Sequence, residues 1–257
     1  MKRLIARLPE SCQGRLRKIH YRRKLAAASI HDEPELGAVP KFAGPGQTVL
    51  DVGANFGLFS RFLSEAVGPE GRVFSFEPIP EMHEVLAHNI SALPLTNTEC
   101  FNVAVSDEPG TAEIRIPKWP NGTLNYYEAS LSSSAVGDEK VVTVQKITLD
   151  DFCESRDLGE VTFIKCDVEG HEISVLEGAG KLIATHHPVI LLEVNDSLVE
   201  TEKGRRVRSL VESLGYTINV FQDGSVFPWE PGDNRVNYVL LPDEAAAGEP
   251  TTVGLSA

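Results

Sequence analysis

Val49-Leu50-Asp51-Val52-Gly53-Ala54-Asn55-Phe56-Gly57 joins an apolar strand to a carboxylate and a glycine-opened turn. Beyond it, Leu58, Phe59, Phe62, Leu63, Ala66 and Val67 recur at helical spacing, so the turn leads into a helix lying on a sheet. Strand, tight turn and helix together make the corner at which α/β sheets hold nucleotides. Gly53 allows the tight turn and a close backbone approach to a ligand, with Ala54, Asn55 and Gly57 completing the loop. Asp51 narrows the choice of ligand. A fixed negative charge beside the turn repels a pyrophosphate and attracts a cation, and S-adenosyl-L-methionine offers a sulfonium together with an amino acid tail.

Two other segments end in acids in the same way. Val73-Phe74-Ser75-Phe76-Glu77-Pro78 closes a second apolar strand on Glu77, 26 positions after Asp51 (77 − 51), where an acid accepts ribose hydroxyls. Phe163-Ile164-Lys165-Cys166-Asp167-Val168-Glu169-Gly170-His171-Glu172 places Asp167, Glu169 and His171 at or just beyond the end of another strand, and Glu193 ends the run from Pro188. Open α/β sheets bind ligands outside the carboxyl ends of their strands, so Asp51, Glu77, Asp167 and Glu193 are expected to converge. Such carboxylates repel one another unless hydrated or offset by positive charge, which suits a cationic cofactor. Taken singly, each is also what a strand cap or turn former looks like.

In order and spacing, DVGANFG at 51 to 57, FEP, NVAVSD at 102 to 107, ITLDDF at 147 to 152, IKCDVEGHE at 164 to 172 and VLEGA at 175 to 179 resemble the FkbM family of S-adenosylmethionine-dependent methyltransferases. The resemblance spans about residues 45 to 200. It implies a Rossmann-like class I methyltransferase acting on a hydroxyl of a sugar, glycan or secondary metabolite, with no acceptor carried over. It also places Asn102 to Asp107, including Ala104, on the adenine side of the cofactor.

Along the chain, apolar strands alternate with helical patterns, the signature of βαβ units. Five parallel strands, the third at Glu99 to Val105, and a closing pair at Tyr216 to Phe221 and Val236 to Leu241 predict a seven-stranded, mostly parallel sheet. The last strand is antiparallel and helices cover both faces. A helix is expected over Glu172 to Ile183, weakened at its far end by Gly178 and Gly180, and another over about Leu198 to Leu214. The predicted organisation is a basic, helical extension over 1–40, a catalytic domain over 41–243 and a disordered tail over 244–257. Within the domain, a β-rich insertion with its loop covers about 108–147. Trp119, Tyr126, Tyr127 and Ser132 to Ser134 in that loop are candidates to cover the acceptor, because aromatic faces suit sugar rings and polyketides alike.

Composition agrees with a single α/β unit: 257 residues at 42% apolar content can bury a substantial core. Charge is uneven. Nine Lys or Arg against Glu10 give residues 1 to 24 a charge of +8, so the total of −13 leaves −21 on the rest. A body of that sign repels nucleic acid. The basic segment reads as a solvated helix resting on the acidic body, or as a weak contact for a membrane surface or acidic partner. Leu4-Ile5-Ala6 is too short for a secretory core, no run reaches the ~18 apolar residues of a membrane span, and Cys12, Cys100, Cys153 and Cys166 form no CxxC pair. A reduced, cytoplasmic setting is expected.

Methyl transfer is an in-line displacement, so the enzyme must align an acceptor oxygen and assist its deprotonation. The candidate bases are Asp167, Glu169, His171 and Glu193, with Asp167 favoured because it ends the strand beside the cofactor strand. Asp167, Glu193 and Asn195 also offer oxygens that magnesium or calcium accepts, although no dense loop motif calls for a metal. A nicotinamide-dependent oxidoreductase is the rival enzyme, but its G-x-G-x-x-G fingerprint fails at Asn55 and at the position of Gly57. A non-catalytic cofactor-binding protein would show erosion around Asp167, and the sequence shows none.

Overall fold

Three parallel pairings build the centre of the molecule: β1 (Thr48–Val52) lies between β2 (Arg72–Phe76) and β7 (Val161–Cys166), and β3 (Thr98–Phe101) flanks β2. A computed structural model describes residues 9–119, 122–126, 129, 139–233 and 235–243. On the far side, β8 (Val189–Glu193) continues parallel to β7. Next come β11 (Asn237–Pro242), antiparallel to β8, then β9 (Tyr216–Gln222) and β10 (Ser225–Pro228). The order is β10-β9-β11-β8-β7-β1-β2-β3. This is the expected arrangement with one strand more: the turn at Asp223–Gly224, both at positive φ, folds β10 back along β9 as an eighth, edge strand.

Helices cover both faces because the strands alternate two apolar sides. Leu50, Val52, Phe74, Phe76, Ile164 and Cys166 meet α5 (Leu149–Arg156), α6 (Glu172–Glu177), α7 (Gly180–His186) and α8 (Glu202–Ser213). Val49, Val73, Phe163, Leu191 and Val239 meet α3 (Leu58–Val67), α4 (Pro80–Ala92) and the N-terminal segment. That segment comprises α1 (Glu10–Ala27), a 3₁₀ turn over Pro34–Ala38 and the short α2 (Val39–Phe42). α1 rests on the body through buried Leu25, Tyr21 stacked on Phe56 with ring centroids 4.9 Å apart, and an ion pair of Lys18 with Glu84 at 3.0 Å. No described helix is long and apolar enough to cross a membrane.

Two sequence-predicted elements divide. The expected third strand splits into β3 and β4 (Ala104–Val105), because the chain leaves the main sheet at Asn102 and β4 joins a second sheet. In that sheet, β6 (Glu139–Ile147) lies between β4 and β5 (Gly110–Pro117), giving the β-rich insertion a body of its own. The helix expected over Glu172 to Ile183 breaks into α6 and α7 at Gly178. A Cβ there would stand 2.0 Å from the Ser106 carbonyl oxygen, and the Asp150 carboxylate accepts from the N–H groups of Lys181 and Leu182, restarting the helix. The helix predicted from about Leu198 starts later, as α8, where the Thr201 hydroxyl accepts from Gly204 N–H at 2.9 Å.

Candidate active site

A cavity of about 370 Å³ opens at the carboxyl ends of β1, β2, β7 and β8. Of the residues singled out in the sequence, Asp51, Gly53, Ala54, Asn55, Glu77, Ala104, Asp167, Glu169, His171 and Glu193 line it. Two do not. Gly57 starts α3 in the left-handed region (φ +93°), where a Cβ would stand 2.8 Å from Leu86. Asn102 is exposed and donates to the carbonyls of Glu77 and Pro78, both at 2.9 Å, so it braces the β2 exit without facing the cavity. Tyr126 reaches the wall, whereas Trp119 is 45% exposed and does not. Tyr127 and Ser132 to Ser134 lie outside the described residues, as do residues 1–8 and the tail from 244.

Gly53 stands at φ +85°, as the expected tight turn requires, and it has a second role. Its missing side chain makes room for protein: a Cβ would sit 1.7 Å from the Asp167 carbonyl oxygen, so the ends of β1 and β7 close on each other only through glycine. The amides of the turn are occupied as well. Gly53 and Ala54 N–H both donate to Phe76 O, Asn55 N–H to Glu77 Oε2 at 2.8 Å and Gly57 N–H to Ala54 O. A pyrophosphate needs such donors free, and these four are not.

Burial sets the state of the acids. Asp51 is 1% exposed and accepts from Ser60 Oγ at 2.6 Å, a partner invisible in the sequence; burial, opposed by that bond, pushes it up to about 6. Glu77 accepts from Asn55 and Ile79 N–H, yet burial outweighs both bonds and raises it to about 7. Each of its oxygens keeps a second lone pair for a ligand donor. Glu193 rises to about 7, first through burial and then through the neighbouring Asp167 charge. His171 is shifted downward by burial and pairs through Nε2 with Ser106 Oγ at 2.9 Å. The Ser106 hydroxyl also reaches Asp107 Oδ1 at 2.8 Å, so a buried serine orients the imidazole.

Sequence reasoning passed over three wall residues. Glu33 and Glu35 come from the 3₁₀ turn and its flank, inside the segment read as a basic extension. Lys165 is 2% exposed, with Nζ 3.6 Å from Asp167 Oδ2 and 3.8 Å from Glu193 Oε2. A lysine inside the largely apolar strand Val161–Cys166 was the available signal, since a buried ammonium needs carboxylates nearby. Oxygens of Asp167, Glu169 and Glu193 lie within 4.8 Å of one another, close enough for a cation. Asn195 is exposed and donates to Glu169 Oε2 at 3.3 Å.

The model of the methyltransferase FkbM domain matches residues 51–218, which contain the strand ends described above. The chain belongs to the FkbM methyltransferase family. It is 29% identical over 201 residues to the 2-O-methyltransferase NoeI of Sinorhizobium fredii, covering 72% of this chain and 78% of that one. Over 142 residues it is 29% identical to the hexuronic acid methyltransferase AglP of Haloferax volcanii, covering 55% and 53% of the two chains. Among solved structures, cofactor-bound Rv0187 from MTB superposes with a TM-score of 0.50 at 13% identity, covering 89% of each chain. Methyltransferase FkbM from Methylobacillus flagellatus gives 0.47 at 17% identity over 88% of this chain and 59% of that one. This FkbM-family protein is an S-adenosylmethionine-dependent methyltransferase.

Proposed function

We propose that the protein transfers the methyl group of S-adenosyl-L-methionine to a hydroxyl of a saccharide or related small molecule, and that the cavity at the strand ends is where it does so. The supporting observation is the charge of that wall. Seven acids line it among the described residues, Glu33, Glu35, Asp51, Glu77, Asp167, Glu169 and Glu193, against the single ammonium of Lys165. Such a wall matches a ligand whose sulfonium and ammonium outweigh one carboxylate. The bound cofactor supplies an activated methyl group and a good leaving group.

Within this reading, Glu77 accepts the ribose hydroxyls, and the segment from Val103 to Val105 packs on the adenine. Tyr126 offers an aromatic face to the acceptor. Glu193 becomes the preferred base. Its carboxylate, raised to about 7, is ionised in part at neutral pH while remaining basic enough to take a hydroxyl proton. Asp167 holds that state by its adjacent charge, and His171, with Nε2 engaged by Ser106, is the next candidate. The sugar class draws its support from relatives named for 2-O- and hexuronic acid methylation.

The test is calorimetry with S-adenosylhomocysteine, followed by transfer of labelled methyl from S-adenosylmethionine to a panel of neutral and acidic sugars. Binding with alkali-stable label on a sugar is the expected result. Absence of cofactor binding, or label lost by ester hydrolysis, would overturn the reading.

A further inference from the structure

We infer that Lys165 is the anchor for the α-carboxylate of the cofactor's amino acid tail, a role that rests on the reading above of the cavity as the cofactor site. The tail is a zwitterion, and its negative end has few places to go in this cavity. Seven acids surround it, and Lys165 is the only Lys or Arg among the described lining residues. Four amides of the turn, those of Gly53, Ala54, Asn55 and Gly57, already donate within the protein and offer the carboxylate nothing. The Asp167 amide donates to Val52 O and the Gly170 amide to Glu172 Oε1. His171 is held by Ser106, and burial shifts it away from its charged form.

Lys165 has the complementary need. It is almost fully buried, yet its Nζ has no hydrogen-bond partner; both neighbouring carboxylates stand at ion-pair distance, beyond hydrogen-bond length. Phe59 lies beneath the ammonium, 5.1 Å from ring centroid to Nζ, which leaves the carboxylates and the open cavity as its polar surroundings. Three N–H donors left unmade in a buried site are costly, and a ligand carboxylate would satisfy them.

Register supplies the other half of the recognition. Lys165 stands directly beside Asp51 across the β1–β7 pair, one residue row below the strand ends. Neighbouring strands lie ~4.8 Å apart. An α-amino acid laid over that row would set its carboxylate on Lys165 and its ammonium on Asp51 and Asp167, so opposite charges in adjacent strands read both ends of one small zwitterion.

Calorimetry on the full chain tests this with two probes, S-adenosylhomocysteine, which carries the tail, and 5′-methylthioadenosine, which lacks it. Lys165→Met is expected to weaken S-adenosylhomocysteine roughly 10- to 100-fold, the range for losing a hydrogen bond to a charged group. Its affinity for 5′-methylthioadenosine should change less than about threefold, which also reports that the fold survives. Unchanged S-adenosylhomocysteine affinity, or equal loss of both probes in a folded variant, would overturn the assignment. If Lys165→Met does not fold, the wild-type protein decides alone. It should prefer S-adenosylhomocysteine over its decarboxylated analogue by at least about tenfold, and equal affinity overturns the anchor. Wild-type protein that binds none of these probes refutes the cofactor site itself, a result separate from failure of the lysine.

Discussion

Single atoms decide whether the cavity exists. Gly53 is at φ +85° and faces the Asp167 carbonyl, so Gly53→Ala introduces both backbone strain and a contact at 1.7 Å that no side-chain rotation relieves. We expect this variant to melt several degrees below wild type and to lose S-adenosylhomocysteine binding by calorimetry; wild-type affinity would show that the β1 and β7 ends need not close. Glu77→Gln tests a different point. Its carboxylate accepts from two N–H groups, and the amide NH₂ of glutamine would confront one of them with another donor. Affinity for S-adenosylhomocysteine should fall about tenfold or more, the scale of one charged hydrogen bond. At this scale the sequence is legible where an acid stands at or near the end of an apolar run, and Asp51, Glu77, Asp167 and Glu193 meet at one cavity as expected. A lysine inside such a run signals that carboxylates lie nearby, but its face and which carboxylates they are follow only from the β7–β8 neighbours, so Lys165 was passed over. Glu33 and Glu35 were hidden for another reason: nine basic residues nearby dominate the charge of that stretch, and only folding returns the two acids to the strand ends.

Elements carry the next level of constraint, and α1 shows it most directly. Its basic face is solvated, but Leu25 is fully buried, and Arg61 of α3 donates to the carbonyls of Leu25 at 2.6 Å and Ala28 at 3.1 Å, capping the helix end. The segment that follows delivers Glu33 and Glu35 to the cavity. Leu25→Ala should therefore destabilise the protein by roughly 2–5 kcal/mol, the usual range for truncating a buried leucine. Urea unfolding measures it, and a loss below about 0.5 kcal/mol, the level of an ordinary surface substitution, would mean that α1 is an appendage. Periodicity revealed the helices and strands here because it is a local property. The break at Gly178 was not local: it depends on Ser106, 72 positions earlier (178 − 106), and on Asp150 as the cap of α7. The departure of the chain into β4 likewise reflects pairing with β6, whose sequence lies some forty residues on.

For the whole molecule, the converging acids set a pH dependence whose sign follows from their shifts. Asp51 is raised from 3.8 to about 6, Glu77 from 4.5 to about 7, Glu193 from 4.5 to about 7, and Glu33 is raised as well. Each binds its proton more tightly folded than unfolded. The stability they contribute is complete below about pH 4 and is lost as pH rises through about 6 to 7. His171 is shifted downward and acts in the opposite sense below 6.5, one group against four. The ligand-free protein should accordingly melt at a lower temperature at pH 8 than at pH 5.5. A cation in the cavity favours the ionised acids, so S-adenosylmethionine should raise the melting temperature more at pH 8 than at pH 5.5. S-adenosylhomocysteine lacks the sulfonium charge, and its stabilisation should vary less between the two pH values. Scanning calorimetry with both ligands at saturation separates these effects. A stabilisation by S-adenosylmethionine that is greater at pH 5.5, or the same pH response for both ligands, would show that the wall does not bind its cofactor through opposing charge.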